Sequence, residues 1–246
     1  MFKNIFEKPF VAPALVLSVA FIVGSLIGGV FISKIRAGND TLSSTGSAKM
    51  TVMSDTAKIN ASFSRTVSEN ALASGYTAMK NDGAKVREFF IKNGLTEEEF
   101  EILPVSLNER YDYYEGAQNQ PKRYDLRQEV RIDTNDIDKA AKVANDSGSL
   151  INSGVLYQSF GVQYYYGELA QARIDLTAEA VKDAKRRAAE IAKGAGGRVG
   201  KLLSASSGVV QVLAPNSLEV SDYGSYDTST PEKEIMVTVR ATFKAK

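Results

Sequence analysis

The hydrophobic pattern of this chain changes period several times, and each change marks an element. Between Lys8 and Lys34 there is no charge at all, and the run reads PFVAPALVLSVAFIVGSLIGGVFIS. Phe10 to Ile32 is roughly 34 Å long as a helix, enough to cross ~30 Å of hydrocarbon. Residues 1–35 are therefore expected to be a membrane anchor, a short tail followed by a transmembrane helix. The competing reading is a cleaved signal peptide. Its apolar core would run about 7–15 residues and end at a small-x-small site, whereas here Ile35 and Ala37 match such a site poorly. Lys3 and Lys8 on one side nearly balance Lys34 and Arg36 on the other, so charge alone does not set the orientation. Gly24 and Gly28 have the spacing of a helix-pairing face, which is also ordinary composition for a span.

Residues 36–47, RAGNDTLSSTGS, are small and polar and read as a linker to a domain at 48–246. Period-2 alternation then begins. Ala57, Ile59, Ala61 and Phe63 alternate with polar residues, which predicts a strand buried on one face. Residues 49–53 are expected to pair with it as a hairpin across Ser54-Asp55. From Ser68, a plausible N-cap, the spacing lengthens. Leu72, Tyr76, Met79, Gly83, Val86 and Phe90 mark one face of a helix closed by Asn93-Gly94. Tyr124, Leu126, Val130 and Ile132 alternate again, with an upstream partner at 102–114 that carries Pro104 and suits an edge. A short helix follows with Ile137, Ala140, Ala141 and Ala144 inward, then a strand at 155–166. An alanine-rich helix over 168–193 is predicted to bury Ile174, Thr177, Val181, Ala184, Ala188 and Ile191. Residues 214–232 read as an exposed loop, and Ile235, Val237, Val239, Ala241 and Phe243 as a final strand. The sum is an α+β fold: an N-terminal transmembrane helix, then a domain with a mixed or antiparallel sheet on which two long helices and one short helix pack.

Composition narrows the chemistry. Thirty Lys and Arg nearly balance 29 Asp and Glu, which argues against a dedicated nucleic-acid binder. The sequence has neither Cys nor His, which removes disulfides, thiol nucleophiles, imidazole ligands and Ser-His-Asp catalysis. Carboxylate pairs, lysine chemistry or oxygen-ligand metal sites remain, none with a recognisable signature. Gly194 to Lys201 resembles a phosphate loop, but Ala195 replaces its first Gly, Leu202 replaces its Ser or Thr, and it follows a helix. It reads as a helix end. Glu97, Glu98, Glu99 and Glu101 point in different directions on any regular element and read as solvated. Tyr111, Tyr113, Tyr114 and Tyr124 gather around one predicted hairpin, and Tyr164, Tyr165 and Tyr166 end a strand. These are either ordinary strand composition or a protein interface. The first four are the candidate oligomer interface.

Local sequences along this order of elements resemble one family. They include Ser44-Thr45-Gly46-Ser47-Ala48, Leu103-Pro104 through Tyr113, Tyr124-Asp125-Leu126-Arg127 and Asn152-Ser153-Gly154-Val155. The most telling is the alanine-rich helix from Ala178 that ends in the Gly194–Gly197 turn and leads into Val199-Gly200-Lys201-Leu202. Together they resemble the SIMPL domain family of bacterial envelope proteins over about residues 44–246. The chain departs from it where Gly46-Ser47-Ala48 stands for a G-x-G step and Ser54-Asp55 for Pro-Asp. The resemblance implies an α/β domain, export across the inner membrane and, in some members, large homo-oligomeric rings. It supplies no catalytic residues. The expectation is a non-enzymatic protein without a cofactor, single-pass in a bacterial inner membrane. Its domain would be periplasmic and self-assembling. The alternatives are an envelope module that binds a small ligand or partner protein, and an enzyme using carboxylates.

Overall fold

A computed structural model describes residues 11–37, 40–110, 122–217 and 221–246. The first element is α1, Val11–Ala37. Its segment Pro13–Val30 is long and apolar enough to cross a membrane, with a mean hydropathy of 2.2 and nothing in it buried. Ile32 lies within this helix, and Phe10 lies outside the described residues.

The strands are β1 (Thr41–Met53), β2 (Thr56–Ser68), β3 (Phe100–Ile102), β4 (Ser106–Arg110), β5 (Arg123–Thr134), β6 (Tyr157–Tyr165), β7 (Val199–Ser207), β8 (Gln211–Leu213), β9 (Ser225–Tyr226) and β10 (Glu232–Ala245). The further helices are α2 (Leu72–Lys92), α3 (Ile137–Asp146), α4 (Gly148–Asn152) and α5 (Leu169–Gly194). One sheet runs β1-β10-β8-β9, with β7 also on β10. The other runs β3-β5-β2-β6, with β4 also on β5. The chain is thus α+β, as its periodicity predicts.

The expected hairpin between residues 49–53 and β2 does not form, because the two strands belong to different sheets. A two-residue hairpin needs positive φ at its turn, and neither Ser54 nor Asp55 has it. The corner instead donates the Ser54 N–H to the Pro231 carbonyl at 2.8 Å and the Asp55 N–H to the Tyr165 carbonyl at 3.0 Å. Asp55 also accepts the Gly167 N–H at 2.9 and 3.0 Å. The segment 36–47 is not all linker either, since β1 begins at Thr41 and Ser44 and Gly46 are buried.

The chain divides into two compact units. The first comprises the chain up to Ser47 with Ala180–Ser207 and Val239–Lys246. Here the end of β10 pairs antiparallel with β7, Val239 opposite Ser207 and Ala241 opposite Ala205. The Ser43 and Thr242 hydroxyls share a hydrogen bond at 2.9 Å, and the Ala245 N–H donates to the Asp40 carbonyl at 2.8 Å. Its core is Ala184, Ala188, Ala241 and Phe243, with Leu42 and Val199 against it. A Cβ at Gly46 would overlap the Ala180 carbonyl oxygen and the Ala184 amide nitrogen, so helix backbone lies directly on strand backbone. The inward stripe of α5 is accordingly Ala172, Leu176, Ala180, Ala184, Ala188 and Ala192. Ile174 and Ile191, expected inside, are 63% and 52% exposed. Small side chains win the buried face because larger ones would hold the helix off the strand.

The second unit comprises Ala48–Glu179 and Gly208–Thr238. At its centre β2 pairs with β5 from Ala57 opposite Thr134 to Ser68 opposite Arg123, and with β6 on its other side. Phe63, Phe90, Ile59, Met79 and Ile132 fill the core. Phe90 meets Phe100 and Tyr157 at ring separations of 5.1 and 6.4 Å. Ser68 does not cap α2, which is preceded by a 3-10 turn over Glu69–Ala71. Tyr76 is 42% exposed. The glycine that permits close packing is Gly75, where a Cβ would sit 2.8 Å from a Leu126 methyl, while Gly83 has ordinary clearance. Asp82, on the same buried face, pairs with Arg65 of β2.

Candidate functional site

The polar segment leading into β10 is organised around the Asp227 carboxylate. Asp227 accepts the Ser229 hydroxyl at 2.6 Å and N–H at 3.1 Å, and the Thr230 hydroxyl at 2.5 Å and N–H at 3.2 Å. Lys233, fully buried, reaches the same carboxylate at 3.3 Å and also donates to the Thr230 carbonyl. Burial alone would raise the Asp227 pKa. The Ser229 and Thr230 hydrogen bonds and the Lys233 charge outweigh it and hold the carboxyl well below the ordinary range. Burial lowers the pKa of Lys233, against the pull of Asp227. The Asp227 N–H donates to the Val212 carbonyl at 2.8 Å, which fastens the loop to β8.

This fastening presents aromatic side chains. The Tyr226 ring lies 5.8 Å from that of Tyr165, and its hydroxyl accepts the Tyr166 N–H at 2.9 Å. Lys58, paired with Asp133 at 2.6 Å, stands 5.9 Å from the centre of the Tyr165 ring. The Tyr164 N–H donates to the Thr228 carbonyl at 2.9 Å. Tyr223 stands apart from this cluster with 96% of its surface exposed. Its turn is nonetheless fixed. The Gly224 N–H donates to the Ser221 carbonyl, the Tyr223 N–H to the Ser221 hydroxyl at 3.2 Å, and the Gln211 amide to the Ser221 carbonyl at 2.5 Å. Gly224 has φ +88°, a conformation side chains rarely adopt. Beside the turn lies a cleft of about 340 Å³ lined by Gly208, Val209, Gln211, Asp222, Met236 and Thr238.

Of the sequence-predicted interface, Tyr111, Tyr113 and Tyr114 lie outside the described residues. Tyr124 is half-buried in β5, opposite Val67 of β2 and Glu109 of β4. Tyr165 faces Thr56 at the other end of β2, so the two tyrosines are separated by the 11 steps from Thr56 to Val67, roughly 36 Å of strand. The sequence did carry a signal for the buried lysine. Lys233 falls in the same alternation as Ile235 and Val237, so a charge stands on an inward face. Gly194 to Lys201 is a helix end: the Gly197 N–H returns to the Ala192 carbonyl at 2.8 Å, and Gly196 has φ +77°. The glutamates disperse, Glu97 to Arg87 and Glu99 to the Thr134 hydroxyl and Thr96 N–H, which lower the Glu99 pKa.

No curated protein matches the sequence at a significant level. The family comparison matches residues 42–243, from the first turn of pairing in β1 to the closing residues of β10. It therefore takes in the glycine of β1 that lies on α5, the alanine stripe of that helix and the tyrosine-bearing loop. On that match the chain belongs to the SIMPL family, whose description is a protein of unknown function (DUF541).

Proposed function

We propose that this chain is a non-enzymatic envelope protein, anchored in a bacterial inner membrane by α1 with its domain on the periplasmic side. In this reading it self-assembles into a homo-oligomer larger than a dimer, using the tyrosine-bearing surface of the 214–232 loop. The observation that carries the reading is Tyr223, almost fully exposed on a turn whose backbone is clamped. Tyrosine is enriched at specific interfaces because it buries a large ring at a low entropic cost. A rigid presenting turn lowers that cost further. Anchoring confines the copies to a surface and raises their effective concentration. The 103–124 hairpin with Tyr111, Tyr113 and Tyr114 is the second candidate contact.

The native particle mass of the full-length chain in mild detergent tests assembly, and a monomer overturns it. The cleft beside the loop would then favour the alternative, an envelope module that binds a small ligand or partner. Topology is tested with a cysteine at exposed Ser149, which has no competing thiol in the chain. A membrane-impermeant reagent should label it in outer-membrane-permeabilised cells. Labelling only after the inner membrane is broken reverses the orientation.

A further inference from the structure

We infer that the cleft beside the 221–224 turn receives the Tyr223 ring of a second copy, reciprocally. The inference rests on the assembly reading and deepens it by naming the contact. Tyr223 makes no use of its own cleft, since its side chain is 96% exposed. Yet the residue before it, Asp222, lines that cleft. A protruding ring and a cavity are thus one residue apart on one surface. That is the arrangement a twofold contact requires, because the same patch must supply both halves of the fit.

The cleft suits a phenol in size and chemistry. Its volume, about 340 Å³, is at the small end of ligand pockets. Val209 and Met236 offer apolar wall, and Gly208 leaves room where a side chain would collide with the Thr238 hydroxyl. Asp222 and Thr238, which carry a carboxylate and a hydroxyl, are among the lining residues, and a phenolic hydroxyl needs such an acceptor. The Gln211 amide is already engaged with Ser221, so it shapes the floor instead of competing for the ring. A Cβ added at Gly224 would lie 3.1 Å from the Val210 carbonyl oxygen and 3.7 Å from the Val209 Cβ, so the turn holding the ring lies close against the wall of the cleft. Such preorganisation means that little ordering accompanies docking. A twofold contact closes on two chains, so a larger particle needs a second, different contact elsewhere on the molecule.

The test uses full-length chains in mild detergent. Tyr223→Ala removes the protruding ring, and Val209→Trp fills the cleft. Each alone should weaken association at least tenfold with circular dichroism unchanged, while an equal mixture should recover part of it because one insertion remains intact. Because the native chain lacks cysteine, Tyr223→Cys and Val209→Cys chains, produced separately, mixed and oxidised, should give a disulfide-linked heterodimer. Absence of that heterodimer, together with a Tyr223→Ala particle of wild-type mass, overturns the contact but leaves assembly standing. A monomeric wild-type chain overturns both.

Discussion

Lys233 is fully buried, and among the described residues its charge is met by the Asp227 carboxylate and the Thr230 carbonyl. Removing one partner of such a pair strands the other, which typically costs roughly 3–5 kcal/mol, whereas replacing both is far milder. Asp227→Asn should therefore destabilise the protein by about that amount at pH 7, and Asp227→Asn with Lys233→Met by much less. Thermal unfolding of the two variants in detergent checks the order. The pH dependence follows from the carboxyl's lowered pKa. Between the folded value and the ordinary one near 3.9, the unfolded chain binds more protons, so stability rises with pH there. The contribution of Asp227 is complete above about pH 5 and is lost as the medium becomes more acid. The gap between wild type and Asp227→Asn should narrow accordingly on acid titration. A second residue-scale prediction concerns Gly46. Gly46→Ala puts a carbon into helix backbone and should cost about 1–3 kcal/mol or more, as overpacking does. An equal loss from Gly83→Ala, which has clearance, would show that the effect is not steric.

At the scale of elements, α5 explains which features were legible. Its existence and its Gly194–Gly197 ending were readable, because alanine favours helix and glycine supplies the left-handed turn. Its buried face agrees with the sequence reading at Ala184 and Ala188 and departs from it at Ile174 and Ile191, because isoleucine is the more hydrophobic residue and hydrophobicity does not reveal the close approach at Gly46. Alternation identified β2, β5 and β10, yet it could not say which strand pairs with which, and so β1 was given to the wrong partner. The Asp227 hub was missed for a related reason, since a cluster of Ser, Thr and Asp is the composition of solvent-facing turns as well. For α1 the decisive property is hydropathy, and its consequence is measurable. If it is the anchor we propose, the full chain resists carbonate extraction and residues 38–246 alone are soluble. A mature chain starting near Gly38 would instead identify a cleaved leader.

At the scale of the whole molecule, the ladders join distant parts of the sequence. Deleting residues 239–246 removes the partners of β7 and of the segment around Ser43, with Ala241 and Phe243 from the core. The truncated chain should lose cooperative unfolding and become protease-sensitive; retention of the full-length melting curve would contradict this. The pairing of Asp40 and Ser43 with Ala245 and Thr242 also orders events in time. A ribosome delivers Asp40 about 200 residues before its partner. During synthesis the segment around Asp40 and Ser43 must wait for these partners until residues 242–245 have been made. Closing so long a loop is entropically slow. The segment around Asp40 and Ser43 is therefore exposed, its hydrogen-bonding groups unmet, for most of the time the domain takes to be made.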